Sequence, residues 1–101
     1  MIKQILTRNG EKIKVSISDS CNERCENFID EYKRYIENRD VNNDDDLNNA
    51  TIESGKIRSK VNAYLLALYD LGVMSYYDNA ELRNHYSNMI TTVYETWIEG
   101  R

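Results

Sequence analysis

The chain has 101 residues and a mass of 11.9 kDa, with 17 acidic and 13 basic side chains, two cysteines and no proline. A hydrophobic fraction of 41% is enough for one small domain with its own core, so we expect a single domain over residues 1–101. No apolar run approaches the ~20 residues that span a bilayer, and the first ten residues contain no signal-peptide core, so we expect a cytoplasmic protein that does not associate with membranes.

The first 18 residues predict a β-hairpin. Asn9-Gly10 lies between two runs of strand-forming residues and suits a two-residue turn. Centring the turn there pairs Leu6 with Ile13 and Ile2 with Ile17, which places five apolar side chains on one face and leaves Ile5 on the other. This apolar face should pack on the helices that follow, because an isolated two-stranded hairpin is marginally stable.

Three helices are predicted after the hairpin. A capping-box pattern at Ser20 and an apolar stripe indicate a helix over residues 20–39. The Asp- and Asn-rich residues 40–50 predict an acidic loop, followed by a helix over residues 51–72 that ends at Gly72.

A third helix is predicted over residues 75–98, starting at Ser75. The connection between the second and third helices is short, so they should pair as an antiparallel helical hairpin. The expected fold class is α+β and mainly helical.

Charge is distributed unevenly along the chain. Residues 1–18 carry four basic side chains and one acidic, residues 19–53 carry eleven acidic and four basic, and residues 54–101 are balanced. The acidic middle favours a basic partner surface. The basic hairpin has no interleaved aromatic residues, so we do not expect direct binding of nucleic acid.

The acidic loop begins like a calcium loop of the EF-hand type, with oxygen-bearing residues at alternate positions. No register supplies every element: counting from Asp40, the glycine at position 6 and the acid at position 12 are missing. A solvated acidic loop is therefore favoured over a metal site. The weak calcium candidates are Asp40, Asn42, Asp44, Asp46 and Glu53.

Catalytic chemistry has little support in the sequence. Cys21 and Cys25 lie on the apolar stripe of the first helix and are expected to pack in the core. His85 follows Glu81 by four residues, so the carboxylate could orient the imidazole, but a surface ion pair is the favoured explanation of the spacing. We expect no enzyme, no catalytic residue and no cofactor.

Eight tyrosines against one phenylalanine suggest interface chemistry, since tyrosine combines an apolar ring with a polar tip. Tyr32, Tyr64, Tyr86 and Tyr94 lie on the helical stripes and are assigned to the core. The remaining tyrosines and the acidic residues are the candidate partner-binding set: Asp40, Asp44, Asp45, Asp46, Tyr35, Tyr69, Tyr76 and Tyr77.

These patterns predict a small acidic protein-interaction module. The excess of Asn, Ile and Tyr over Ala indicates AT-rich codons, typical of a low-GC bacterium, its phages or mobile elements. The most specific hypothesis is a phage or mobile-element inhibitor, anti-defence or anti-CRISPR-like, of a host nucleic-acid-binding enzyme. The alternatives are a self-associating structural or regulatory protein, with a homo-oligomer as its form, and a calcium or small-ligand sensor acting through residues 40–53.

Overall fold

An antiparallel two-stranded sheet precedes three helices in the structure, a computed structural model that describes residues 1–100. The fold is α+β and mainly helical, as predicted. The elements, in chain order, are β1 (Ile2–Leu6), β2 (Lys12–Ser16), α1 (Asp19–Glu37), α2 (Asp44–Asp70) and α3 (Tyr76–Glu99).

The hairpin differs from the predicted register by one residue. Ile5 pairs with Ile13, and the backbone N–H of Thr7 donates to the carbonyl of Glu11 (2.8 Å), so the loop contains three residues instead of two. Gly10 ends this loop with φ +82°, a left-handed conformation that glycine adopts without steric cost. Asn-Gly is compatible with either loop length, so the dipeptide alone could not exclude the three-residue loop.

The slip reverses the two faces of β1, because side chains alternate along a strand. Ile5 is buried (2% exposed), whereas Ile2 and Leu6, predicted to face inward, are 63% and 53% exposed. The outer face of the hairpin is therefore more apolar than predicted. Lys12 and Lys14 remain exposed on β2.

Lys3 shares the inward face of β1 and is accommodated by two partners. Its ammonium lies 3.6 Å from a carboxylate oxygen of Glu26 and 5.6 Å from the ring centroid of Tyr86. The aliphatic stem can pack on apolar surface while the charged end keeps a carboxylate and an aromatic face. These contacts allow a lysine on the inward face, whereas the predicted register placed Lys3 on the outer, polar face.

Helix α1 begins one residue before the predicted start. Ser18, not Ser20, is the N-cap, and its hydroxyl accepts a hydrogen bond from the backbone N–H of Cys21 (3.1 Å). Its stripe of buried residues recurs at spacings of three and four, which confirms the predicted apolar face: Cys21, Cys25, Ile29, Tyr32 and Ile36.

The predicted acidic loop 40–50 is wrong over most of its length, because α2 begins at Asp44 and not at residue 51. Asn43 is the N-cap and accepts from the N–H of Asp46 (3.0 Å). Acidic residues in a first helical turn are stabilised by the positive end of the helix dipole. Thr51, at the predicted start of the helix, donates its hydroxyl to the carbonyl of Leu47 inside it.

Helices α2 and α3 pack antiparallel, and Arg58 links them midway. Its guanidinium donates to the hydroxyls of Ser87 (Nε, 3.0 Å) and Thr91 on α3 and of Ser54 on its own helix (3.2 Å). Helix α1 packs on both: near its start, Asn22 accepts from the hydroxyl of Tyr86 on α3 (2.8 Å).

The buried side chains of the sheet and all three helices form one cluster. Tyr32, in its centre, donates its hydroxyl to the carbonyl of Ala50 (3.0 Å), so the buried phenol is satisfied. None of the helices described in residues 1–100 has the length and apolar character needed to cross a membrane.

Candidate interaction surfaces

The turn between α2 and α3 and the adjoining helix ends carry a group of exposed apolar side chains. We call this surface the aromatic tip. Leu71 is 76% exposed, Val73 63%, Tyr76 61% and Tyr77 53%, and Tyr69 is 38% exposed. The rings of Tyr69 and Tyr76 pack edge to face with centroids 5.5 Å apart. Three tyrosines of the candidate partner-binding set are therefore exposed at this turn.

The backbone of the tip is fixed by a hydrogen-bonded helix stop. Gly72 has φ +74°, its N–H donates to the carbonyl of Tyr69 (2.9 Å), and the N–H of Val73 donates to that of Leu68 (3.0 Å). Two residues later Ser75 caps α3 by accepting from the N–H of Asp78 (3.1 Å). The exposed side chains therefore project from an ordered turn.

The buried side chain of Asn79 holds the backbone next to the tip through hydrogen bonds, and the sequence analysis did not identify it. This fully buried amide donates to the carbonyl of Leu65 (2.6 Å) and contacts the sulfur of Met74 (3.3 Å), while its oxygen accepts from Nε of Arg83 (3.0 Å). The signal available beforehand was an asparagine one turn after a helix cap, on the side facing the partner helix.

The charge around the tip is acidic. Asp70 and Asp78 flank it, and no lysine or arginine occurs between Lys60 and Arg83. Glu81 lies in the same stretch but is buried and paired with Arg8, whose Nε is 3.3 Å from the carboxylate. Within residues 61–82 the charged side chains are therefore all acidic, and Arg83, bonded to Asn79, is the first basic side chain after the tip.

The acidic residues at the start of α2, together with Asp40, form a second surface that we call the acidic end. Asp40, Asp44 and Asp45 are exposed and Asp46 is half-buried. Two of these carboxylates bond to the backbone: Asp46 accepts from the N–H of Asp40 (2.8 Å), and Asp40 accepts from the N–H of Asn42 (2.9 Å). They hold the connector between α1 and α2 in place.

The structure divides the predicted partner-binding residues between these two surfaces. From Asp44 to Tyr69 the helix rises about 37 Å, so the acidic end and the aromatic tip lie at opposite ends of α2. Tyr35 is part of neither surface. Its side chain is half-buried, and the guanidinium of Arg39 lies 4.5 Å from its ring centroid. One small binding site cannot contain the whole set.

The calcium candidates are also spread out. Asp40 and Asp46 are close together, but Glu53 lies about 10 Å further along α2 than Asp46 and pairs with Lys56 at 4.0 Å. Within residues 1–100, no group of three histidine, cysteine or acidic side chains is arranged to hold a metal ion. Asn42 contributes only its backbone N–H to the contacts here.

A third surface, which the sequence did not reveal, is an open cleft of about 680 Å³ between α1 and α3. Leu6 closes it at the hairpin, and Trp97 lies towards the other end of α3. The cleft is bordered by polar side chains of both helices. Its apolar lining comes from β1, α1 and α3: Leu6, Ile29, Ile36, Met89, Val93 and Trp97.

His85 borders this cleft without a carboxylate partner. Glu81 bonds to Arg8, so the suggested Glu81–His85 pair is not formed, and Nε2 of His85 is buried without a hydrogen bond. Burial, and to a lesser extent Lys3, lower the pKa of His85 below its ordinary value. The lowered pKa favours the neutral form of the ring at pH 7.

Both cysteines pack in the core, as predicted. Cys21 and Cys25 are free thiols and are 3% and 0% exposed. Burial, with a smaller contribution from the neighbouring Cys21, raises the pKa of the Cys25 thiol to about 12. A thiol held protonated in this way is a weak nucleophile at neutral pH.

No protein-family model matches this chain, and neither a curated protein nor a solved structure does. The functional argument therefore depends on the three surfaces themselves: the aromatic tip, the acidic end and the cleft.

Proposed function

We propose that this chain is a protein-interaction module with no catalytic role, and that the aromatic tip is its docking surface. The exposure of the tip is the observation that supports the proposal. A contiguous group of exposed leucine, valine and tyrosine side chains on an ordered turn is typical of a binding site, since exposed apolar surface in water is unfavourable. Tyrosine is also enriched at protein interfaces.

The partner should offer an apolar pocket with a basic rim. Asp70 and Asp78 provide the negative charge beside the tip. The overall charge of −4 would add long-range attraction. In its most specific form the proposal is a phage or mobile-element inhibitor, anti-CRISPR-like, that covers the nucleic-acid site of a host enzyme in the bacterial cytoplasm. The AT-rich residue usage supports that origin.

Affinity capture with matched variants tests the proposal. The tip variant Leu71→Ser/Val73→Ser removes apolar surface, and Ile52→Ser, at a 50%-exposed position in the N-terminal third of α2, is the control. From a low-GC bacterial lysate, wild type and control should retain the same partner while the tip variant loses it. Equal capture by all three proteins would contradict docking through the tip.

The contribution of the acidic end is tested separately. Asp44→Asn/Asp45→Asn removes two exposed charges and leaves the Asn43 cap in place. Inhibition of a captured nucleic-acid-binding enzyme should weaken with this variant and with added salt, because attraction between exposed charges is screened. Unchanged inhibition in both conditions would exclude the acidic end from the interface.

Self-association is the second candidate, favoured by the outer face of the hairpin. Ile2 and Leu6 are exposed there beside Lys12 and Lys14. A two-stranded sheet also leaves a free outer edge on each strand, which another strand could extend. Sedimentation that gives a monomer at high protein concentration would exclude this alternative.

Calcium sensing is a third candidate that depends on residues 40–53. A cation there would have to draw Asp40 and Asp46 from their present backbone partners. Calorimetric titration with calcium that releases no heat, at protein concentrations where a millimolar site would be visible, would exclude it.

A further inference from the structure

We propose that the cleft between α1 and α3 binds a cationic amphipathic helix of a partner protein. This surface is distinct from the aromatic tip, so the inference does not depend on the proposed function. Two helices form its walls, and the hairpin closes only the end at Leu6. The opposite end, near Trp97 and Ile36, leads towards the acidic end of the molecule.

The length and lining of the cleft fit a helix. The α3 wall runs from His85 to Trp97, a rise of about 18 Å, which matches a helix of about three turns. Apolar side chains line the floor, while Asn88, Thr92 and Thr96 follow one rim at intervals of four residues. An apolar floor with polar rims is the pattern that receives an amphipathic helix. The added helix would complete a four-helix arrangement.

The charges around the cleft select a basic helix. Lys33, the lysine that borders the cleft, is paired with Asp30 at 3.7 Å. Glu37 borders the same wall and has no ion-pair partner in the part of the chain that the structure describes. Beyond Glu37 the chain passes Arg39, whose guanidinium lies over the Tyr35 ring, and reaches the exposed carboxylate of Asp40. Lysine or arginine on the polar face of a bound helix would meet this negative charge.

The test uses a peptide of about 14 residues with leucine on one face and lysine on the other. A second peptide with glutamate in place of lysine is the charge control. Trp97 is the chain's only tryptophan and lines the cleft, so its fluorescence reports binding. We expect saturable binding of the lysine peptide, weakened at least about tenfold between roughly 50 and 500 mM salt, and none of the glutamate peptide.

Two threonines provide matched variants. Thr92 borders the cleft and Thr51 does not, yet both are exposed on helices and donate their hydroxyls to the carbonyl four residues earlier. Thr92→Arg should weaken the lysine peptide at least about tenfold by bulk and like charge, whereas Thr51→Arg should change it less than about twofold. Thr96→Arg replaces Thr92→Arg if circular dichroism shows that the first variant is unfolded.

Other occupants give distinct results. Equal binding of both peptides, or equal effects of Thr92→Arg and Thr51→Arg, would overturn the proposal. Saturable binding of a neutral probe such as N-phenyl-1-naphthylamine without peptide binding would assign the cleft to a small molecule. A concentration-dependent change in Trp97 fluorescence without peptide, abolished by Thr92→Arg, would assign it to a second copy. The tip variant should bind the peptide normally, which separates this test from that of the proposed function.

Discussion

The register of the hairpin can be tested with two isoleucines that differ only in the face they occupy. Ile5 is 2% exposed and Ile2 is 63% exposed, on the same five-residue strand. Isoleucine to valine keeps the β-branch and removes one methylene, so strand propensity changes little. The difference between Ile5→Val and Ile2→Val therefore isolates burial.

The expected magnitudes follow from these exposures. Deleting a buried methylene costs the transfer free energy and leaves a small cavity, so Ile5→Val should lower the free energy of unfolding by about 1 kcal/mol. Ile2→Val should change it by less than about 0.5 kcal/mol, as exposed substitutions do. Ile5→Ala, with a larger cavity, should cost about 2–5 kcal/mol.

Urea unfolding followed by circular dichroism measures these differences. With a slope of about 1–2 kcal/mol per molar, Ile5→Val should lower the midpoint by about 0.5–1 M, and Ile2→Val should leave it nearly unchanged. A cost for Ile2→Val equal to or above that of Ile5→Val would mean that Ile2 faces the core. The register first suggested by the Asn9-Gly10 pattern would then be correct.

Three further predictions concern single groups. The lowered pKa of His85 means that the folded protein binds a proton at the imidazole more weakly than the unfolded chain does. The free energy of unfolding should therefore be full above about pH 6.5 and fall as the pH drops towards the folded pKa. His85→Gln should flatten this dependence, measured as urea midpoints from about pH 7.5 to about pH 5.5. Cys25 should resist a thiol reagent at pH 8 until the protein is unfolded in denaturant, and labelling as fast as a free thiol in native buffer would contradict its burial. Asn43→Ala should cost about 1 kcal/mol by removing the α2 cap, whereas Asn42→Ala, one residue earlier, should cost much less; equal midpoints for the two variants would exclude the cap.

Helical periodicity was the most informative feature of the sequence. The stripe of α1 is set by spacings of three and four, which only one helix face can satisfy, so Cys25 and Ile29 were placed correctly in the core. The start of α2 was hidden because Asp and Asn favour turns as well as helix N-termini. Leu47 and Ala50, which lie inward on the first turns, were too sparse to show the period.

The register of β1 and the cleft depend on contacts that local pattern does not contain. Apolar residues of β1 occupy both faces, so alternation alone could not choose between Ile2 and Ile5. The choice depends on what Lys3 meets on α1 and α3. The cleft likewise joins helices that are not consecutive in sequence, whereas the aromatic tip lies within one turn and could be predicted from Gly72 and its neighbours.

The contact between the hairpin and α3 determines when the hairpin can gain its full support during synthesis. Arg8 and Glu81 bond across 73 residues, and β1 packs on α3, the third of the three described helices. The start of α3 comes 60 residues after the end of β2, which corresponds to about 3–12 s of translation at about 5–20 residues per second. During that interval the hairpin lacks part of its support, and a hairpin alone is marginally stable. The N-terminal strands should therefore be the last part of the nascent chain to become protected from proteolysis.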